Sequence, residues 1–360
     1  IKMNNKAVIA MSGGVDSSVA AYLMKQRGFD CIGVTMKLFA NEDIGISREH
    51  SCCSLDDVED ARSVAYSLDM PYYVFNFSDR FETDVIDRFI HAYENGITPN
   101  PCIDCNRYLK FDKLYMRAKE LDRDYVVTGH YARVEKDENG RFLLKKALDD
   151  TKDQSYVLYC LTQEQLSHTI FPLGEMRKSQ AREIAESQGF INARKADSQD
   201  ICFVQNGSYA DFIEQYTGKN YPDGDFLDTD GNVIGRHKGV IRYTVGQRKG
   251  LGISAPEPLY VKAVNPVSNT VTLSYNDGLY SSVVKAGDIN LISVPEIKGE
   301  MRVKAKVRYR HAEQWATVTQ NGDTITAVFD EPQRAVTCGQ ALVLYDGDTV
   351  VGGGTIIEVE

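Results

Sequence analysis

Long apolar runs are missing from this 360-residue chain. Nowhere do hydrophobic residues continue for the roughly 18 positions that a membrane helix needs, and no apolar signal core opens the sequence. No membrane span or export is expected, and the chain reads as cytoplasmic. Glycine and proline, at 28 and 10, are too few for a collagenous or low-complexity chain. Positive charge is short as well: Lys+Arg 41 against Asp+Glu 51 leaves −10. Any nucleic-acid partner must therefore be met by locally concentrated basic residues. Eight cysteines, at positions 31, 52, 53, 102, 105, 160, 202 and 338, lack the even framework of a small disulfide scaffold. In a reducing compartment they serve as packing, as metal ligands or as reactive thiols.

What is present begins with alternation. Lys6–Met11 reads as a buried strand, and Cys31–Met36, Tyr72–Phe77 and Tyr125–Thr128 read as further strands. Helical stretches intervene, among them Ser17–Arg27, stopped at Gly28, and Asp56–Leu68. Strand–helix alternation argues for an α/β domain with an open parallel sheet. Past residue 205 short Val-, Thr- and Tyr-rich runs follow one another between Gly, Asp and Asn turns, and from Glu300 onward a period of two predominates. That pattern predicts a small, mostly β central domain and a C-terminal antiparallel barrel. The expected boundaries are 1–205, 206–278 and 279–360.

The sharpest local signal is Ser12-Gly13-Gly14-Val15-Asp16-Ser17-Ser18, between the first strand and its helix. Two glycines let the backbone approach an anion, and the helix N-terminus offers unpaired N–H groups. The serine hydroxyls add donors, and Asp16 suits a magnesium ion bridging phosphates. No lysine follows the glycines, so this is not the common GxxxxGK[ST] phosphate loop.

The loop resembles that of the PP-loop ATP pyrophosphatases, which adenylate a substrate and release pyrophosphate. Further blocks narrow the likeness: CCSLDDVEDAR, TPNPCIDCNRYLKF, TGHYAR, KDQSYVLY, FPLGEMRK, DSQDICFV and YTVGQRKGLGI. Together they resemble the MnmA/TrmU family of tRNA 2-thiouridylases. The resemblance implies an adenine-nucleotide α-hydrolase-like N-terminal domain and ATP-dependent 2-thiolation of the wobble uridine of tRNA of the Lys, Glu or Gln type. It implies ATP with Mg2+ at Ala10, Met11, Ser12, Gly13, Gly14, Val15, Asp16 and Ser17, with Met36 and Gly129 as further nucleotide contacts. A cysteine desulfurase or sulfur-relay protein would load the sulfur.

Cysteine is the only side chain able to carry sulfane sulfur to an adenylated base. By the resemblance Cys202 bears a persulfide and Cys105 attacks it, while Cys31, Cys52, Cys53, Cys160 and Cys338 are packing or incidental thiols. One departure matters: Cys102 stands where many relatives have aspartate, making a CxxC with Cys105. Three thiolates from Cys102, Cys105 and Cys202 would suit a 4Fe–4S cluster with an open iron. Persulfide or disulfide chemistry at the CxxC is the other reading.

RNA contact needs the local charge, and Met301–His311 supplies it. Arg302, Lys304, Lys306, Arg308 and Arg310 recur with period two, which predicts one basic strand face. A solvated edge strand kept from aggregating by its charges gives the same pattern. Gly235–Gly252 adds Arg236, Lys238, Arg242, Arg248 and Lys249. By resemblance, tRNA contacts fall at His130, Lys152, Asp153, Gln154, Arg308, Tyr309 and Gln340, with Asn100 and Pro101 beside the target base. Another PP-loop ligase explains the loop but not the cysteines. A non-catalytic tRNA-binding or sulfur-carrier protein explains the basic strand but leaves the loop without a task.

Overall fold

A computed structural model describes residues 5–39, 55–197, 201–204 and 208–360. Cys52 and Cys53 lie outside the described residues, as do parts of two of the sequence blocks. The described residues divide between two compact units. The first comprises those of Ile1–Val85, Cys102–Gln205 and Asp348–Val351; the second, those of Ile86–Pro101, Asn206–Gly347 and Gly352–Glu360.

The first unit is built on a five-stranded parallel sheet. Its strands are β1 (Lys6–Ala10), β2 (Asp30–Lys37), β3 (Tyr72–Asn76), β4 (Tyr125–Val127) and, after a hairpin of β5 (Arg133–Lys136) and β6 (Phe142–Lys145), β7 (Thr169–Ile170). The order β3-β2-β1-β4-β7 puts β1 in the middle. Ala7 and Ile9 join the core formed with Val19, Ala61, Val64 and Ala181. Val8, pointing to the opposite face, is equally buried. Burial on both faces is why β1 and β2 are continuously apolar, while β3, at the edge of the sheet, is more exposed. Helix α1 (Val15–Gln26) starts directly after the Gly13-Gly14 turn, and α2 (Leu55–Ser67) packs beside it. The expected strands and both helices are found within two residues of their predicted ends. Residues 348–351 return to this unit, where Thr349 pairs with Lys145 and Asp348 meets Arg133.

The second unit holds two β structures. β8 (Gly224–Leu227), β9 (Val233–His237), β10 (Tyr260–Asn265) and β11 (Thr270–Ser274) form a sheet of order β10-β11-β8-β9. β12 (Tyr280–Leu291), β13 (Met301–Lys306), β14 (Gln314–Asn321), β15 (Thr324–Arg334), β16 (Ala341–Asp346) and β17 (Thr349–Val359) close on themselves, because β12 pairs with both β15 and β17. This is the expected antiparallel barrel, six-stranded and without an open edge. Alternation fills it: Val303, Ala305, Ala316, Val318, Ile325 and Ala327 are buried.

The basic strand departs from expectation. β13 ends at Lys306, so only Arg302, Lys304 and Lys306 share its outer face. Arg308 turns back and donates to the Val245 carbonyl at 3.0 Å, the Ala335 carbonyl at 2.8 Å and the Thr337 hydroxyl. The second basic stretch is partly neutralised: Arg236 pairs with Asp225, and Arg242 with Asp211 and Glu214, each at 2.7 Å.

Candidate active site

The first unit's site begins at the loop. Gly13 has φ +74, and a Cβ there would lie 2.4 Å from the Asp57 carbonyl oxygen, so only glycine fits. Gly14 is extended, at φ −90 and ψ 162, and no side chain caps the N-terminus of α1. Uncapped N–H groups at a helix start are what an anionic phosphate requires. The serines divide their work. Ser17 and Ser18 donate their hydroxyls to the Gly14 carbonyl at 3.0 and 3.1 Å, bracing the turn, while Ser12 is exposed. Gly129 lies against the loop, since a Cβ on it would come within 2.8 Å of the Asp16 carbonyl carbon and the Ser17 nitrogen. Met36, near the end of β2, is buried.

Asp16 is not left to solvent. The Lys178 ammonium donates to both of its oxygens at 2.7 Å, and the Tyr131 hydroxyl donates at 2.8 Å. Lys178, only 8% exposed, also pairs with Asp197 at 2.7 Å; Lys152 and Arg182 reach the same carboxylate at 3.0 Å. Burial opposes the charge on Asp197, yet its lysine partners hold its carboxyl below the ordinary carboxylate range. Burial and the nearby Asp16 push the Tyr131 phenol far up, so it stays protonated as a donor. The result is a cluster of three cations, Lys152, Lys178 and Arg182, around the carboxylates of Asp16 and Asp197.

The cysteines sort into two groups. Cys31 and Cys160 are buried, and burial pushes their thiols up to about 11 and about 12. Cys338 is half-buried and raised by the same cause. These behave as packing residues. Cys102 is exposed in the short helix Pro101–Asp104 and Cys105 is buried at the start of the π-helix Cys105–Lys113. Cys202 is half-buried beside Phe203, whose ring meets Phe81 edge-on at 5.7 Å. The helix carrying Phe81, Ser78–Phe81, packs on the π-helix that Cys105 begins. The three cysteines are not gathered as a ligand set: among the described residues no three His, Cys, Asp or Glu side chains are placed to hold a metal ion. The 4Fe–4S arrangement therefore does not fit the described residues.

Family models match along the chain. They are the tRNA methyl transferase HUP domain over residues 5–206, the tRNA methyl transferase PRC-barrel domain over 210–275 and the aminomethyltransferase beta-barrel domain over 281–356. The tRNA-specific 2-thiouridylase MnmA of Clostridioides difficile is 52% identical over 356 residues, covering 98% of each chain. That of Lachnoclostridium phytofermentans is 52% identical over 355 residues, 98% of this chain and 99% of its own. The chain belongs to the MnmA family of tRNA-specific 2-thiouridylases. It is thus one of a family of enzymes. A solved 4-thiouridine synthetase–RNA complex with bound ATP aligns with 59% of this chain and 50% of its own, at 19% identity and TM-score 0.37, too loosely to argue from.

The residues expected from the MnmA resemblance to touch tRNA are mostly engaged within the protein. Besides the Lys152–Asp197 pair, Asp153 accepts from the Ala147 and Ser155 backbones at 3.0 and 3.2 Å. Gln154 exchanges two 2.9 Å bonds with the Tyr131 backbone. His130 is buried, 2.7 Å from the Thr128 hydroxyl and flanked by Phe111 and Phe171. Burial, helped by Lys110, holds its pKa well below the usual imidazole range. In the second unit Gln340 donates to the Thr98 and Pro99 carbonyls at 2.9 and 3.2 Å, beside Asn100 and Pro101. Arg308 anchors the neighbouring Ala335–Thr337 stretch, and Tyr309 is exposed. Within the second unit, positions 98–99 are thereby tied to 340, and 308 to 335–337.

Sequence reasoning passed over Tyr131, Lys178 and Asn192. The first two sit in the TGHYAR and FPLGEMRK blocks, where their chemistry was legible and their partner was not. Asn192 is 3% exposed and donates to the Gly13 carbonyl and the Ser18 hydroxyl, both at 2.9 Å. No local pattern announces a bond made 179 residues away.

Proposed function

We propose that this chain adenylates O2 of the wobble uridine of tRNA with MgATP and replaces that oxygen with sulfur delivered from Cys202. The observation that carries the reading is the full-length identity to tRNA-specific 2-thiouridylases, 52% over 98% of both chains. The uncapped start of α1 and the Asp16–Lys178 pair, in the same unit as Cys105 and Cys202, supply matching chemistry. O2 attacks the α-phosphorus and pyrophosphate leaves; Lys178 and the helix N–H groups offset the charge that builds on the phosphates. Magnesium would arrive with ATP, and Asp16 would be the carboxylate that completes its shell.

A donor protein loads Cys202 as a persulfide. The Cys105 thiolate attacks the Cys202 sulfur, forming a disulfide and releasing hydrosulfide. Hydrosulfide adds to C2, AMP leaves, and an external thiol reduces the disulfide. The persulfide route is preferred over a cluster because Cys102, Cys105 and Cys202 do not form a ligand set. Residues 1–205 would carry catalysis, and 206–278 and 279–360 the contacts with tRNA.

The test is thiolation of a tRNA transcript by ATP and a persulfide donor. Cys105→Ser and Cys202→Ser should each lower turnover by at least about 100-fold, while pyrophosphate release persists. Cys102→Ser should retain activity without added iron. Full thiolation by the Cys105→Ser, Cys202→Ser double variant would defeat the proposal.

A further inference from the structure

The barrel wall carries an aromatic side chain that the reaction leaves unused. Trp315 is the chain's single tryptophan, and it is 48% exposed on β14. In register it lies opposite Lys304, and Thr317 opposite Arg302, so all four side chains stand on the outer face. The Arg302 guanidinium sits 5.1 Å and the Lys304 ammonium 5.5 Å from the indole centre. Asp330, on β15, pairs with Arg302 at 2.7 Å and fixes it beside the ring. Lys306 continues the row over the Tyr345 ring at 5.7 Å. Among the described residues no carboxylate lies within ion-pairing distance of Lys304 or Lys306.

A half-exposed indole on a barrel wall leaves apolar surface in water without helping the core. Unpaired ammonium groups beside such a ring match one kind of partner closely: a nucleotide offers a π-face to stack and phosphates to neutralise. In a chain of net charge −10, this local concentration of positive charge selects for an anion. An edge strand blunted by lysines explains less, because β13 lies between β14 and β16 in a closed barrel and has no edge to protect.

We propose that Trp315 is a stacking platform for an unpaired nucleotide of the RNA substrate, with Lys304 and Lys306 taking its flanking phosphates and Arg302 holding the indole in place. The inference rests on the tRNA reading above and adds Trp315, which is not among the residues given by resemblance, close along the chain to Arg308 and Tyr309.

Because Trp315 is the only tryptophan, its emission reports the site directly. The full-length protein is titrated with an unmodified tRNA transcript while retention on a filter measures binding independently. Binding should quench Trp315 and shield it from acrylamide. Trp315→Ala should weaken retention about tenfold, and Trp315→Tyr should restore most of it. Lys304→Gln should weaken retention and flatten its dependence on salt. A blunt duplex RNA, with no unpaired base, should leave the emission unchanged. Retained tRNA with unaltered emission and acrylamide access overturns the platform but spares the tRNA reading. Equal quenching by the duplex overturns stacking on an unpaired base. Loss of all tRNA retention in the wild type overturns both. Should Trp315→Ala fail to fold, retention by Trp315→Tyr and Lys304→Gln decides alone.

Discussion

At the scale of single residues, the Gly13-Gly14 turn was legible because its backbone demand admits one residue type. Its partners were not, since the bonds of Lys178 and Asn192 span 162 and 179 positions. Lys178 holds Asp16 as well as meeting the phosphates in the proposed reaction, and its loss leaves the Asp16 and Asp197 carboxylates without their shared cation. Lys178→Met should lower ATP-dependent pyrophosphate release about 100-fold with tRNA retention unchanged, and Lys178→Arg should recover part of it. Loss of tRNA binding with pyrophosphate release intact would place Lys178 elsewhere. His130 makes a prediction about pH. Its pKa is depressed in the folded protein, so stability is whole above about 6.5, the unfolded value, and falls as pH drops below it. The slope should reach about 1.4 kcal/mol per pH unit. Chemical denaturation of wild type and His130→Gln between pH 5 and 7.5 reads this; parallel stability curves would refute it.

At the scale of elements, strands and helices followed from hydrophobic period, while their ends followed from partners the period does not encode. β13 stops because Arg308 finds three acceptors off the strand, and a repeat of basic residues says nothing about those. Arg308 accordingly has a structural task whatever else it touches. Arg308→Ala should cost about 2 kcal/mol of stability by stranding part-buried carbonyls, seen as a melting temperature lowered by several degrees. Arg310→Ala, on the turn, should leave the melting temperature unchanged. Equal melting of both variants would remove that role. The π-helix Cys105–Lys113 escaped the sequence for a related reason. Asn106, 1% exposed, ties the helix to the Val157 carbonyl at 3.0 Å, a constraint from another part of the unit and not from local propensity.

At the scale of the molecule, alternation along the first 130 residues announced a parallel sheet, and period two announced the barrel. Sequence pattern could not announce that a few residues of the final hairpin belong to the nucleotide-binding unit. Asp348 and Thr349 dock on the β5–β6 hairpin through the Arg133 guanidinium, the Lys146 backbone and the Lys145 pairing. Synthesis runs from the N-terminus, and domains generally fold as they emerge. Here the earliest unit to be made is among the last to be finished, because one of its pieces is translated only at residues 348–351. Until then its outer hairpin waits with an unpaired edge, the kind of surface that recruits stray strands. A ribosome that stalls within the barrel therefore releases an enzyme whose defect lies some two hundred residues upstream of the break.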